Sequence, residues 1–229
     1  MLCWFGGKIL NTKSKNTNPI KQNLRLKEYI GWCTVFLFPF ALLGLLETTG
    51  IGVAVVLIYI GINGFLLRKL IDNRIPFFNL RLEGIRNEIF ISGIVIFAEA
   101  LILFSKLGVQ KYSFEELSLL IILFALLKGI FEQLISVNIF DLVGCKIKFP
   151  GYIAVIINTI LMYALFWDKF IIASTLNRTM IIFIQLIINL ISTNIFHKTK
   201  DITICALFQI IFNVIIVLSC GFNIQLYLA

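Results

Sequence analysis

Residues 117–143 read LSLLIILFALLKGIFEQLISVNIFDLV. The run exceeds the roughly 20 apolar residues needed to cross a bilayer as a helix. Lys128, Glu132 and Gln133 nevertheless lie inside it. A charged side chain at membrane depth costs roughly 2.5–3.5 kcal/mol on insertion scales, so such residues face protein rather than lipid and mark a functional site or a neutralising partner. Lys128 and Glu132 are four residues apart, on one helix face, where an ion pair can form. Two readings stay open: a self-neutralising pair that locks helix packing, or a Glu132 carboxylate that polarises water or a ligand.

The surrounding composition sets the class. The chain has 229 residues, 59% of them hydrophobic, 14% charged, with a mean hydropathy of +0.98. Soluble domains carry about 25% charged residues, so a soluble fold of this length could not cover its apolar surface. The expected fold class is all-α: a polytopic transmembrane helix bundle. Cys3, Cys33, Cys145, Cys205 and Cys220 are isolated and show no metal-ligand spacing. His197 is the single histidine. No metal site or cofactor is expected.

Apolar runs fall at about 30–46, 51–67, 88–104, 117–143, 151–167, 179–196 and 202–220, which predicts seven spans. Glu47-Thr48-Thr49-Gly50 alone joins the first pair, the mark of a tight helical hairpin; residues 168–178 could add a re-entrant piece. With the N-terminus inside, fifteen Lys and Arg fall in inner segments. Only Lys106, Lys111, Lys169 and Arg178 fall outside, which by the positive-inside rule makes the N-terminus cytoplasmic. The net charge of +8 is then mainly topological, and the bilayer rather than nucleic acid is the expected partner. In the loop 68–87, Arg81, Glu83, Arg86 and Glu88 alternate in sign beside Pro76-Phe77-Phe78, which fits either a short interfacial helix or a solvated connector.

Counting residues inward from the span ends places further polar side chains at one depth. Glu132 lies nine residues above Asp141, roughly 13 Å. Gln209 and Asn213 lie roughly 10 and 16 Å into the last span, and Asn158 and Thr159 seven and eight residues into the fifth. A shared internal site built from Lys128, Glu132, Gln133, Asn158, Thr159, Gln209 and Asn213 follows. Glu99 is a second intramembrane acid, expected to be protonated or hydrogen-bonded within the bundle. Gln185, Asn189 and Thr193 repeat every four residues, most simply as interhelical glue, alternatively as a hydrophilic lining. Phosphate loops, GxSxG and HExxH are absent from the sequence.

In this order and spacing the chain resembles the CAAX-protease and bacteriocin-processing (CPBP, or Abi) intramembrane proteases, whose helices carry EExxxR, FxxxH and HxxxN. Glu132-Gln133 and Val137 stand where the first motif would lie, with glutamine for the second glutamate and valine for the arginine. The second motif would fall in 158–165, without its phenylalanine or histidine, and Gln209-Ile210-Ile211-Phe212-Asn213 matches the third with glutamine for histidine. The resemblance covers about residues 85–218 and implies three parts. These are a basic cytoplasmic segment (1–29), a transmembrane hairpin with an inner interfacial loop (30–84) and a CPBP-like helical core (85–229).

The family activates water with paired glutamates and histidines. A glutamine cannot accept that proton, so the resemblance implies a pseudoprotease in which Glu132 is the one candidate catalytic residue left. Such a protein would be a membrane scaffold or bacteriocin-immunity-type protein that binds another membrane protein or peptide. The alternatives are a divergent endopeptidase using Glu132, or a small transporter or channel subunit with Lys128, Glu132, Gln185 and Asn189 along its path.

Overall fold

The computed structural model describes residues 19–71, 84–109, 111 and 113–222. Seven helices follow in order among them: α1 (Pro19–Thr49), α2 (Gly52–Lys69), α3 (Arg86–Leu107), α4 (Phe114–Val143), α5 (Lys148–Lys169), α6 (Thr175–Thr199) and α7 (Thr203–Ser219). The first six are long and apolar enough to cross a membrane, and α7 is a shorter apolar helix of 17 residues. The chain is a polytopic, all-helical membrane protein. Among the described residues the one strand pairing is a two-residue antiparallel contact of Ile171–Ile172 with Gly221–Phe222.

Local chemistry sets the helix ends. Gly50, at φ +69, closes the α1–α2 hairpin where an L side chain would be strained. The Ser113 hydroxyl accepts the Glu116 N–H at 3.2 Å while the Glu116 carboxylate accepts the Ser113 N–H at 2.9 Å, a capping box that starts α4. The Asp201 carboxylate accepts the Thr203 N–H at 2.9 Å at the start of α7. Residues 168–178 form a short 3₁₀ turn, the paired strand and the Ser174 cap of α6 rather than a re-entrant helix. The first helix starts earlier than the hydropathy suggests, at Pro19, so residues 19–29 of the basic N-terminal segment are helical. There the Lys27 ammonium donates to the Ile71 carbonyl at 3.2 Å and Glu28 pairs with Lys146, tying the polar end of α1 to α2 and the α4–α5 turn. Residues Pro76 to Glu83 of the proposed interfacial helix lie outside the described residues, whereas Arg86 and Glu88 open α3.

Helix α4 is the axis of the bundle. It packs against α1, α2, α5, α6 and α7. Within its apolar stretch 62% of residues are buried, against 22% for α3. A helix apolar on all sides belongs at the centre, and from Glu132 to Val143 every residue except Asp141 is buried. Asp141, partly buried, pairs with Arg68 of α2 at 3.3 Å. Glycines let the neighbours close in: a Cβ on Gly129 would meet the Ile210 backbone of α7 at 3.0 Å, and one on Gly31 would meet Val143 Cγ2 at 2.6 Å. Without a hydrophobic drive between helices in lipid, such close backbone packing is a main source of association.

Three of the spans contain π-helical turns: Ile60–Leu66 in α2, Ile121–Lys128 in α4 and Met162–Phe166 in α5. The wider turn frees carbonyls that must find other donors in a dry interior. In α2 the partner is visible. The Asn138 amide of α4 donates to the Asn63 and Gly64 carbonyls at 2.8 and 2.9 Å.

Gly129→Ala should therefore destabilise the bundle by about 1–3 kcal/mol, the usual cost of overpacking. Gly93→Ala, where an added Cβ meets nothing within 4 Å, should leave stability unchanged or slightly raised. Thermal unfolding of the two variants in detergent checks this, and equal melting temperatures would contradict the close α4–α7 approach.

Candidate functional site

Four helices each bring one pair of polar side chains, four residues apart, to the same place in the core. The pairs are Lys128/Glu132 on α4, Thr159/Tyr163 on α5, Gln185/Asn189 on α6 and Gln209/Asn213 on α7. Spacing of four residues keeps each pair on one face, and that face is the one turned to the bundle interior. All eight residues are buried, from 0% exposure at Gln185, Gln209 and Asn213 to 6% or less at the rest.

The Lys128 ammonium uses all three of its hydrogens. It donates to Glu132 Oε2 and Tyr163 Oη, each at 2.5 Å, and to Asn213 Oδ1 at 3.2 Å. Its outer side is walled by the rings of Phe124, Tyr163 and Trp167, whose centroids lie 5.0, 4.7 and 5.0 Å away. Ring faces carry negative charge density and attract a desolvated cation. The ammonium is thus enclosed by one carboxylate, two neutral acceptors and three aromatic faces.

The amides extend the network away from the ion pair. The Gln209 amide donates to Glu132 Oε2 at 3.2 Å and to Gln185 Oε1 at 2.8 Å. The Gln133 amide donates to Gln209 Oε1 at 2.9 Å and Asn189 Oδ1 at 3.0 Å. The Gln185 amide donates to the same two oxygens at 3.2 and 3.0 Å. The Asn189 amide donates to the Thr159 hydroxyl at 2.9 Å, which passes its own hydrogen to the Val155 carbonyl. Tyr163 reaches both Gln185 Oε1 at 2.9 Å and Glu132 Oε2 at 3.2 Å with its single hydrogen. Gln133 Oε1 and Asn213 Nδ2 remain without a partner among the described residues.

Of the residues singled out by depth, the structure gathers Lys128, Glu132, Gln133, Thr159, Gln209 and Asn213 into this network. Asn158 is the exception. It is buried, yet its side chain makes no hydrogen bond to a described residue. Adjacent positions on a helix point about 100° apart, so depth alone could not separate Asn158 from Thr159. Tyr163, Gln185 and Asn189 belong to the network although the depth count did not select them. The four-residue polar stripe of α6 was the available signal for Gln185 and Asn189, and the spacing from Thr159 was the signal for Tyr163. Thr193, the third stripe residue, turns its hydroxyl onto the Asn189 carbonyl at 2.7 Å instead. Glu99 has no hydrogen bond among the described residues: both of its carboxyl oxygens lack a partner there. His197 is exposed at the end of α6, its ring 6.0 Å from Phe140. Among the described residues no three His, Cys, Asp or Glu side chains converge as metal ligands.

These observations define a polytopic membrane protein organised around a buried, interlinked polar core. Comparisons of the chain with protein-family models, curated proteins and solved structures return no significant match.

Removing one member of the ion pair should hurt more than removing both. Lys128→Met leaves a buried carboxylate with only the neutral Gln209 and Tyr163 donors and no counter-charge, and should cost about 3–5 kcal/mol, the usual penalty for an orphaned buried charge. The double variant Lys128→Met/Glu132→Leu should regain a large part of that loss. A double-mutant cycle read by unfolding in detergent measures the coupling, and simple additivity would show that the pair is not energetically linked.

Proposed function

We propose that this chain is a non-catalytic multi-pass protein of the cell membrane with a cytoplasmic N-terminus. In this reading it is a CPBP-like pseudoprotease whose former hydrolytic centre serves as a structural core. It acts as a scaffold or bacteriocin-immunity-type protein by engaging another membrane protein or peptide. The observation that carries the reading is the state of Glu132. Its carboxylate is held by the Lys128 ammonium and the Gln209 amide, within reach of Tyr163, and the residue is 4% exposed. Lys128, Tyr163 and Gln209 all converge on Glu132 Oε2, so this oxygen is engaged as an acceptor beside a neutralising cation, which disfavours its use as a general base.

The kinship is supported by which segments meet. Glu132-Gln133 lies at the first motif position, Thr159 and Tyr163 lie within the second, and Gln209 and Asn213 occupy the third; the structure brings all three segments into one hydrogen-bonded cluster. Peptide hydrolysis needs a general base near Glu132. The side chains around it at 133, 185, 209 and 213 are amides, and the ionisable group paired with it is the Lys128 ammonium that neutralises it. An endopeptidase would need water admitted to this carboxylate. A transporter would need a wet path, whereas Gln185 and Asn189 are 0% and 1% exposed.

The test is direct. Purified protein in lipid nanodiscs is incubated with a pool of membrane-spanning and C-terminally prenylated peptides, and products are read by mass spectrometry. The expected result is no product beyond that of a Glu132→Gln variant at equal folded protein. Products that disappear in Glu132→Gln would overturn the non-catalytic reading.

A further inference from the structure

The bundle handles its two intramembrane glutamates in opposite ways. Glu132 is hydrogen-bonded by three other side chains, whereas Glu99 of α3 has none, although it is only 1% exposed. An unpartnered polar group away from water costs several kcal/mol, so the position asks for a donor from outside the chain. Beside Glu99 lies a cavity of about 440 Å³ between α3 and α6. Val95, Ala98 and Ile102 line it from α3, and Met180, Phe183 and Ile184 from α6. Three of its lining residues, Ala98, Thr179 and Phe183, are exposed, so the cavity opens on the outer surface of the bundle. Thr179 stands at its edge, one turn into α6.

We propose that this cavity is a binding site, entered from the bilayer, for a small amphiphile with an apolar body and a single hydroxyl or amine head that donates to Glu99. Three observations select this occupant. The walls are apolar apart from Glu99 and Thr179, so the body of the ligand is hydrocarbon. Among the described residues lining it, the polar group without a partner is the Glu99 carboxyl, which in either protonation state keeps an oxygen that accepts from O–H or N–H, so the head is a hydroxyl or amine. The volume falls in the range of small-molecule sites, roughly 300–1,000 Å³. The site shares no residue with the Lys128 network, so it stands whether or not the pseudoprotease reading does.

The experiment uses the full chain in nanodiscs and three photoreactive probes: dodecanol, dodecylamine and dodecyl methyl ether, each carrying a diazirine on the chain. Cross-links are mapped by mass spectrometry, with competition by the unlabelled compound. The alcohol or the amine should label α3 and α6 around the cavity saturably, and the donor-less ether should not. A hydrogen bond to a carboxyl corresponds to on the order of tenfold in affinity, so Glu99→Leu should reduce labelling by about that factor. Ala98→Phe, which fills the cavity from a lipid-exposed position, should abolish it.

Glu99→Gln separates the heads. Its neutral amide still accepts from a hydroxyl, so alcohol labelling persists, whereas the alkylammonium no longer finds a carboxyl it can ionise and labels less. Size-exclusion profiles equal to the parent's show that the variants are folded. Equal labelling by the ether, labelling unchanged in Glu99→Leu, or no saturable labelling by either donor probe would overturn the proposal.

Discussion

A lysine ammonium in the middle of a membrane protein has to satisfy three hydrogens and one charge without water. In this bundle Lys128 does so with Glu132 from its own helix, Tyr163 from α5 and Asn213 from α7, under a roof of three aromatic rings. Each of those partners fixes the rotation of the helix that carries it. Once Glu132 is held, the Gln209 amide follows, and the Gln133, Gln185 and Asn189 amides are placed by Gln209. The orientation of α5, α6 and α7 around α4 is therefore set by one charge. Apolar packing closes the helices on each other, but it is nondirectional. The polar core makes one rotation of each helix far better than its alternatives.

The π turns belong to the same arrangement. That of α4 ends at Lys128 and that of α5 contains Tyr163, so two of the ion pair's groups sit where the helix departs from its usual pitch. Such turns are rare and occur often at functional sites. In α2 the released carbonyls of Asn63 and Gly64 are covered by Asn138, two turns along α4 from the charge pair. Helix α4 thus satisfies two kinds of buried polarity, one from side chains and one from backbone. This explains why it is the most enclosed span despite carrying the charges.

Glu99 marks the contrast. It sits on the least buried span, beside an apolar cavity, and the bundle supplies nothing to its oxygens. The same physical cost that welds the centre together is left open at the edge.

Much of this was legible in the residues. Hydropathy and charge scarcity alone require helices that cross a bilayer, because no other backbone arrangement of this composition satisfies its own hydrogen bonds in lipid. The four-residue interval between Lys128 and Glu132 requires one face, and the depths of Thr159, Gln209 and Asn213 follow from counting at 1.5 Å per residue. Depth is one coordinate and rotation is another, and only packing decides rotation. That is why Asn158 fell outside the network while Tyr163 and the α6 stripe fell inside it. The π turns, the aromatic enclosure of the ammonium and the lack of any partner for Glu99 likewise depend on side chains far apart in the chain. Composition and spacing settled that polar groups must be hidden from lipid; tertiary structure alone chose which of them would meet.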